Sequence, residues 1–145
     1  MDPFHLDRFI AAQSDCYSEA LEELRAGEKR THWMWFVFPQ LQGLGSSPTA
    51  LRYAIKNLAE AQSYLAHPIL GARLLECSDA VNAVQGRSAL QIFGTPDDLK
   101  FNSCMTLFEL ASDGGQRVFS QALEKYYAGK RDERTLELIK EVGGQ

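Results

Sequence analysis

Apolar residues recur at intervals of three and four along most of this chain, and this spacing restricts the folds that it can adopt. The clearest example follows Pro68, where five apolar residues form one stripe that ends near Gly86: Leu70, Leu74, Cys77, Val81 and Val84. Side chains at this spacing lie on one face of an α-helix, whereas a half-buried strand alternates apolar and polar residues. The segment is therefore predicted to be an amphipathic helix.

The same spacing recurs elsewhere, and the alternation typical of strands is almost absent. Further helices are predicted over residues 6–13, from Ser14 to Gly27, from Ser47-Pro48 through Ile55, from Asn57 through Leu65, from Thr95 as cap to Gly114, around 119–126 and around 136–142. At 145 residues and 45% apolar content, the chain is long enough for one ordinary core. We expect a single all-α domain, residues 1–145, with roughly seven to nine helices, no β-sheet and frayed ends at 1–4 and 142–145.

An unbroken apolar run from Trp33 to Phe38 departs from this pattern and holds both tryptophans of the chain. Periodicity alone does not distinguish a buried strand from a buried helix here. Because no second strand is evident to pair with it, a short buried helix is favoured. Such a cluster is more often part of a core than of a ligand cage, although either use remains open.

Two residues are candidates for catalysis. His32 precedes the aromatic run, and an imidazole can act as general acid or base near neutral pH. The alternative is a histidine that caps the segment or hydrogen-bonds to the backbone. Lys100 begins a polar strip with Ser103 and Thr106, and this strip either faces solvent or lines a cleft if the loop after Pro39 folds over it.

The loop of residues 39–47 contains glycines and ends at a predicted helix start, so its backbone N–H groups could bind an anion such as phosphate. It lacks the spacing of a Walker motif or a dinucleotide fingerprint. From these segments the candidate ligand-binding residues are Trp33, Trp35, Gln40, Gly43, Gly45, Ser47 and Ser103.

Composition argues against several other classes of protein. The net charge of −4, with both signs interspersed, disfavours binding to nucleic acid or to an acidic membrane. The histidines and cysteines lack metal-ligand spacing, so neither a metal nor another cofactor is predicted. No apolar run approaches the ~18 residues of a membrane span, and no secretion signal is evident, so a cytoplasmic location is expected.

Taken together, these segments resemble a bacterial domain-of-unknown-function family, the one numbered 1810, over nearly the whole chain. The resemblance is carried by His32-Trp33-Met34-Trp35-Phe36, Phe38-Pro39-Gln40, Gly43-Leu44-Gly45, His67-Pro68, Phe93-Gly94, Asp97 with Lys100, and Ser103 with Met105-Thr106-Leu107-Phe108. It implies a compact all-helical fold and no established activity.

A shorter similarity links four residues to a motif of a helical family that acts on ADP-ribose-type N-glycosides: Phe93, Gly94, Asp97 and Asn102. It implies that Phe93, Asp97 and Asn102 contact a ligand. Helix capping is an alternative explanation for Asp97, because carboxylates in the first turn complement the helix dipole.

Two functions are consistent with these residues. In the first, the protein binds or hydrolyses a small polar, nucleotide-like molecule in a cleft on which His32, Gln40, Lys100 and Ser103 converge. In the second, it is a non-catalytic interaction module that uses an exposed apolar groove or self-association. The sequence does not decide whether the protein is an enzyme, and it leaves the oligomeric state open.

Overall fold

The computed structural model describes residues 2–143, and within them the chain forms ten helices. They are α1 (Asp7–Gln13), α2 (Tyr17–Ala26), α3 (Met34–Val37), α4 (Pro48–Arg52), α5 (Leu58–Ala66), α6 (Leu70–Ala83), α7 (Ala89–Phe93), α8 (Asp97–Ser112), α9 (Arg117–Tyr127) and α10 (Glu133–Gly143). No strand forms in this range, so the predicted all-α class is confirmed, while the expected seven to nine helices were too few. The expected fraying at the ends lies partly outside the described residues.

The core is built around α8, which packs against α5, α7, α9 and α10. Its buried side chains include Phe101 and Phe108, and the Phe108 ring lies 5.3 Å from Tyr64 of α5 and 6.0 Å from Phe119 of α9, centroid to centroid. Aromatic contacts at these separations add to the free energy gained by burying apolar area. The helix that carries Lys100 and Ser103 therefore also lies at the centre of the packed core.

The aromatic run does form a short helix, α3, as predicted. Trp33, at its N-cap, is fully buried, and its indole N–H donates to the Glu23 carboxylate. Trp35 is only half-buried. The two tryptophans thus have different surroundings: one belongs to the core and the other reaches the surface.

Two predicted helix caps are wrong. Ser14 ends α1 instead of opening α2, because its N–H donates to the Ile10 carbonyl and its hydroxyl to that of Ala11. Thr95 does not cap α8. The N–H of Asp98 bonds instead to the Gly94 carbonyl, and Pro96 takes the N-cap position.

The helix predicted through Ile55 ends earlier, at Arg52, because Ile55 pairs with the loop that precedes α4. Its N–H donates to the Gln40 carbonyl at 2.8 Å, and its carbonyl accepts from the Gln42 N–H at 2.7 Å. These bonds form an isolated parallel bridge between Leu41 and Ile55. Tertiary pairing thus replaces the last helical turn.

Helix α7 was not predicted. It begins with a capping box, in which the Ser88 hydroxyl accepts from the Gln91 N–H and the Gln91 side chain accepts from the Ser88 N–H. The Ser-x-x-Gln spacing is visible in the sequence and could have revealed this helix.

Within residues 2–143, no helix has both the length and the apolar character needed to cross a membrane.

Candidate functional site

A cleft of about 460 Å³ lies between the loop before α4 and the start of α8. Residues from the loop and from α4 form one wall: Gln40, Leu44, Gly45, Ser46, Ser47 and Ala50. Pro96, Leu99, Lys100 and Ser103 form the other wall, and Trp35 completes the lining. The 39–47 loop therefore faces Lys100 and Ser103 of the predicted polar strip. Thr106, its third member, is instead buried, where its hydroxyl donates to Asn102 and accepts from the Asp132 N–H.

The loop wall is held in place by short-range contacts. Its first residue, Gln40, is fixed through the bridge to Ile55. A Cβ atom on Gly45 would lie 2.7 Å from the Cβ of Ala50, so the close approach of the loop to α4 requires glycine at this position. The Ser47 hydroxyl accepts from the Ala50 N–H and caps α4.

Lys100 brings a positive charge to the cleft. Its Nζ lies 3.6 Å from one oxygen of Asp97, whose other oxygen lies 2.9 Å from Nζ of Lys29. One carboxylate between two ammonium groups leaves one positive charge uncompensated. Lys29 is enclosed, with 7% of its side chain exposed against 25% for Lys100, so the excess charge is available at Lys100.

Among the described residues, no acidic side chain lines the cleft, so the carboxylate that opposes Lys100 is that of Asp97, which is shared with Lys29. Among the described residues, Lys100 is the one charged side chain in the lining of the cleft. The ammonium group also lies 5.2 Å from the centroid of the Trp35 ring, within the range of a cation–π contact. The result is a cationic group next to an aromatic surface.

Lys29 was missed by the sequence analysis. Besides Asp97, its ammonium donates to the Thr31 carbonyl at 2.6 Å and lies 5.1 Å from the Trp33 ring centroid. Thr31 and Trp33 are close to Lys29 in sequence, but nothing there indicates the contact with Asp97, which lies far along the chain. Only the tertiary fold brings the pair together.

The segment with His32 is fixed by Glu23. Burial opposes ionisation of the Glu23 carboxyl, but hydrogen bonds from Thr31, from the Arg30 N–H and from the Trp33 indole outweigh it and lower its pKa to about 2. This arrangement anchors Trp33 in the core. His32 is exposed and does not line the cleft.

The structure brings together six of the predicted site residues: Trp35, Gln40, Gly45, Ser47, Lys100 and Ser103. The Ser103 hydroxyl, which is nearly buried, donates to the Leu99 carbonyl. Asp97 lies beside the cleft through its contact with Lys100.

The other predicted residues lie elsewhere. Gly43, with a φ of +104°, faces Leu138 of α10, and the buried Phe93 ring stacks on Phe101 at 4.7 Å. The Asn102 amide donates to the Lys130 carbonyl and its oxygen accepts from Thr106. Together with His32 and Trp33, these residues have structural or surface positions outside the cleft.

No thiol and no acidic side chain of the described residues lines the cleft. Burial raises the pKa of the Cys77 thiol to about 12, and that of Cys104 is also raised by burial. Asp2, His5 and Asp7 lie close together at the surface, but the Asp2 carboxylate already accepts hydrogen bonds from two backbone N–H groups. We assign no nucleophile and no metal to these groups.

Comparison with known proteins supplies the family context. A family model described as "Protein of unknown function (DUF1810)" matches residues 3–139. None of the curated proteins is significantly similar to the chain. Among solved structures, the crystal structure of the conserved hypothetical protein Rv1873 from Mycobacterium tuberculosis is 59% identical, with a TM-score of 0.93. That match covers 95% of this chain and 98% of the other.

Proposed function

This chain belongs to the DUF1810 family of proteins of unknown function, and we propose that its cleft binds a small molecule carrying an anionic group and a planar ring. The observation that carries the proposal is the charge at Lys100. This lysine is the one charged group in the described lining, and the carboxylate next to it, that of Asp97, already forms an ion pair with Lys29. A ligand phosphate or carboxylate at Lys100 would neutralise the positive charge that Asp97 leaves uncompensated.

The apolar part of the lining favours a ring on the same ligand. Leu99 is 61% exposed although it is a large apolar residue, and with Pro96 it stands opposite the loop wall. Trp35 adds a half-buried aromatic surface. A planar ligand group would cover this surface and remove it from water.

The size of the cleft supports a ligand no larger than a mononucleotide. Its volume of about 460 Å³ lies in the lower half of the usual range for ligand pockets. No imidazole, carboxylate or thiol belongs to the described lining, so we propose binding without a hydrolytic step.

Replacing Lys100 with methionine is expected to weaken binding by about tenfold or more, because one charge-assisted contact is lost. We would measure thermal stability with AMP, ribose 5-phosphate and inorganic phosphate. A ligand at one hundred times its Kd should stabilise the wild type by about 2.7 kcal/mol. This corresponds to a rise in Tm of about 5–10 °C for a chain of this length.

The matched control is Lys130→Met, which removes an exposed lysine outside the cleft. It should leave the ligand-induced shift unchanged. A panel that produces no shift in the wild type would overturn the proposal, and so would equal losses in the two variants.

A further inference from the structure

A small recess opens off the loop side of the cleft. It measures about 20 Å³ and shares four lining residues with the cleft, namely Trp35, Gln40, Gly45 and Ala50. Leu41, Tyr53 and Ala54 complete its wall. A space of this volume holds about one water-sized group.

Gln40 lies where the cleft and the recess meet, and its backbone is rigidly held. Its carbonyl accepts a hydrogen bond from the Ile55 N–H, and the Gln42 N–H donates to the Ile55 carbonyl. The residue is half-buried, and its side-chain amide makes no hydrogen bond to any residue that the structure describes. The backbone of Gln40 is therefore fixed at the edge of the cleft, and its side-chain amide is free to pair with a ligand.

The chemistry of this amide restricts what it can recognise. A glutamine side chain presents an acceptor oxygen and a donor NH₂ group next to each other. Their natural partner is an edge with an adjacent donor and acceptor, as on a nucleobase. Once a ligand excludes water from the cleft, an unmatched amide would lose its hydrogen bonds, so a ligand without such an edge binds less tightly.

We infer that Gln40 is a specificity-determining residue, which pairs with the polar edge of a nucleobase while the phosphate of the same nucleotide faces Lys100. An exocyclic group of the base would enter the recess. This inference rests on the proposed function and narrows its ligand to a nucleoside monophosphate. It predicts that the base contributes to affinity separately from the phosphate.

The test is a calorimetric titration of the full chain with AMP, GMP, CMP, UMP and ribose 5-phosphate. In the wild type at least one nucleotide should bind about tenfold more tightly than ribose 5-phosphate, because a good two-point contact to a base discriminates by that amount or more. Gln40→Leu should remove this advantage and leave the affinity for ribose 5-phosphate within about twofold. Gln42→Leu is the matched control, since Gln42 is exposed outside both cavities.

The outcomes separate this inference from the proposed function. Equal affinities for all five compounds, each reduced by Lys100→Met, would overturn the role of Gln40 and leave the anion site intact. Absence of binding by every compound would overturn both. The comparison of AMP with GMP, and of CMP with UMP, uses only the wild type and varies the polar edge of the base while keeping the size of its ring. Equal affinities within both pairs would overturn the role of Gln40 even if Gln40→Leu fails to fold.

Discussion

Arg8→Ala is expected to destabilise the protein by about 3–5 kcal/mol, the loss typical of removing one partner from a buried ion pair. The Arg8 guanidinium lies 2.9 Å from a Glu60 oxygen, and the Glu60 side chain is completely buried. The same guanidinium donates to four backbone carbonyls, those of Phe4, His5, Arg52 and Ala54. Alanine would leave the Glu60 charge buried without its cation.

Urea denaturation and thermal melting would measure this loss, with a fall in Tm of about 6–20 °C. Arg25→Ala is the control, because Arg25 forms an exposed pair with Glu76 at 3.7 Å. Exposed pairs of this kind contribute about 0–1 kcal/mol. Similar losses in the two variants would show that Arg8 does not tie α1 to the segment that follows α4.

The second large effect is expected from Lys29→Met, which should cost about 3 kcal/mol of stability, because Asp97 loses a largely buried partner. It should also weaken AMP binding by about tenfold, although Lys29 does not line the cleft. Without Lys29, the Asp97 carboxylate would neutralise Lys100 alone. Lys29 therefore acts as a positioning residue for the charge.

The double variant Lys29→Met/Asp97→Asn distinguishes this electrostatic role from a purely structural one. It removes both charges of the pair and leaves Lys100 as an unopposed cation. AMP affinity should recover to within about threefold of the wild type, a positive coupling that a double-mutant cycle measures. If the double variant bound AMP as weakly as Lys29→Met, charge balance would not explain the role of Lys29.

Local pattern was sufficient to predict much of the fold. The apolar stripe that begins at Leu70 forms α6, which ends at Ala83, one residue before the stripe's last member, Val84. Gly27 ends α2 in the left-handed conformation expected of a terminal glycine. Asn57 caps α5 as its position before Glu60 suggested. These features depend on residues within one or two helical turns, which is the range that spacing and capping rules cover.

Features set by distant partners could not be predicted in this way. Ile55 leaves its helix because Gln40 and Gln42 pair with it, and His32 faces solvent because Glu23 holds the segment around it. The candidate site likewise has one feature that local pattern predicts and one that depends on residues distant in sequence. Lys100 was identified from its place on a helix face, whereas the charge available there depends on Lys29, which only the tertiary fold brings to Asp97.

The most direct test of the anion-and-ring site uses the two tryptophans, since Trp35 lines the cleft and Trp33 is buried in the core. Each indole N–H gives its own signal in a ¹H–¹⁵N correlation spectrum, and Trp35→Phe assigns the two. Titration with AMP should shift the Trp35 signal in a saturable way and leave the Trp33 signal in place. A spectrum in which the Trp35 signal stays unmoved at saturating AMP, or in which only the Trp33 signal moves, would contradict the proposed site.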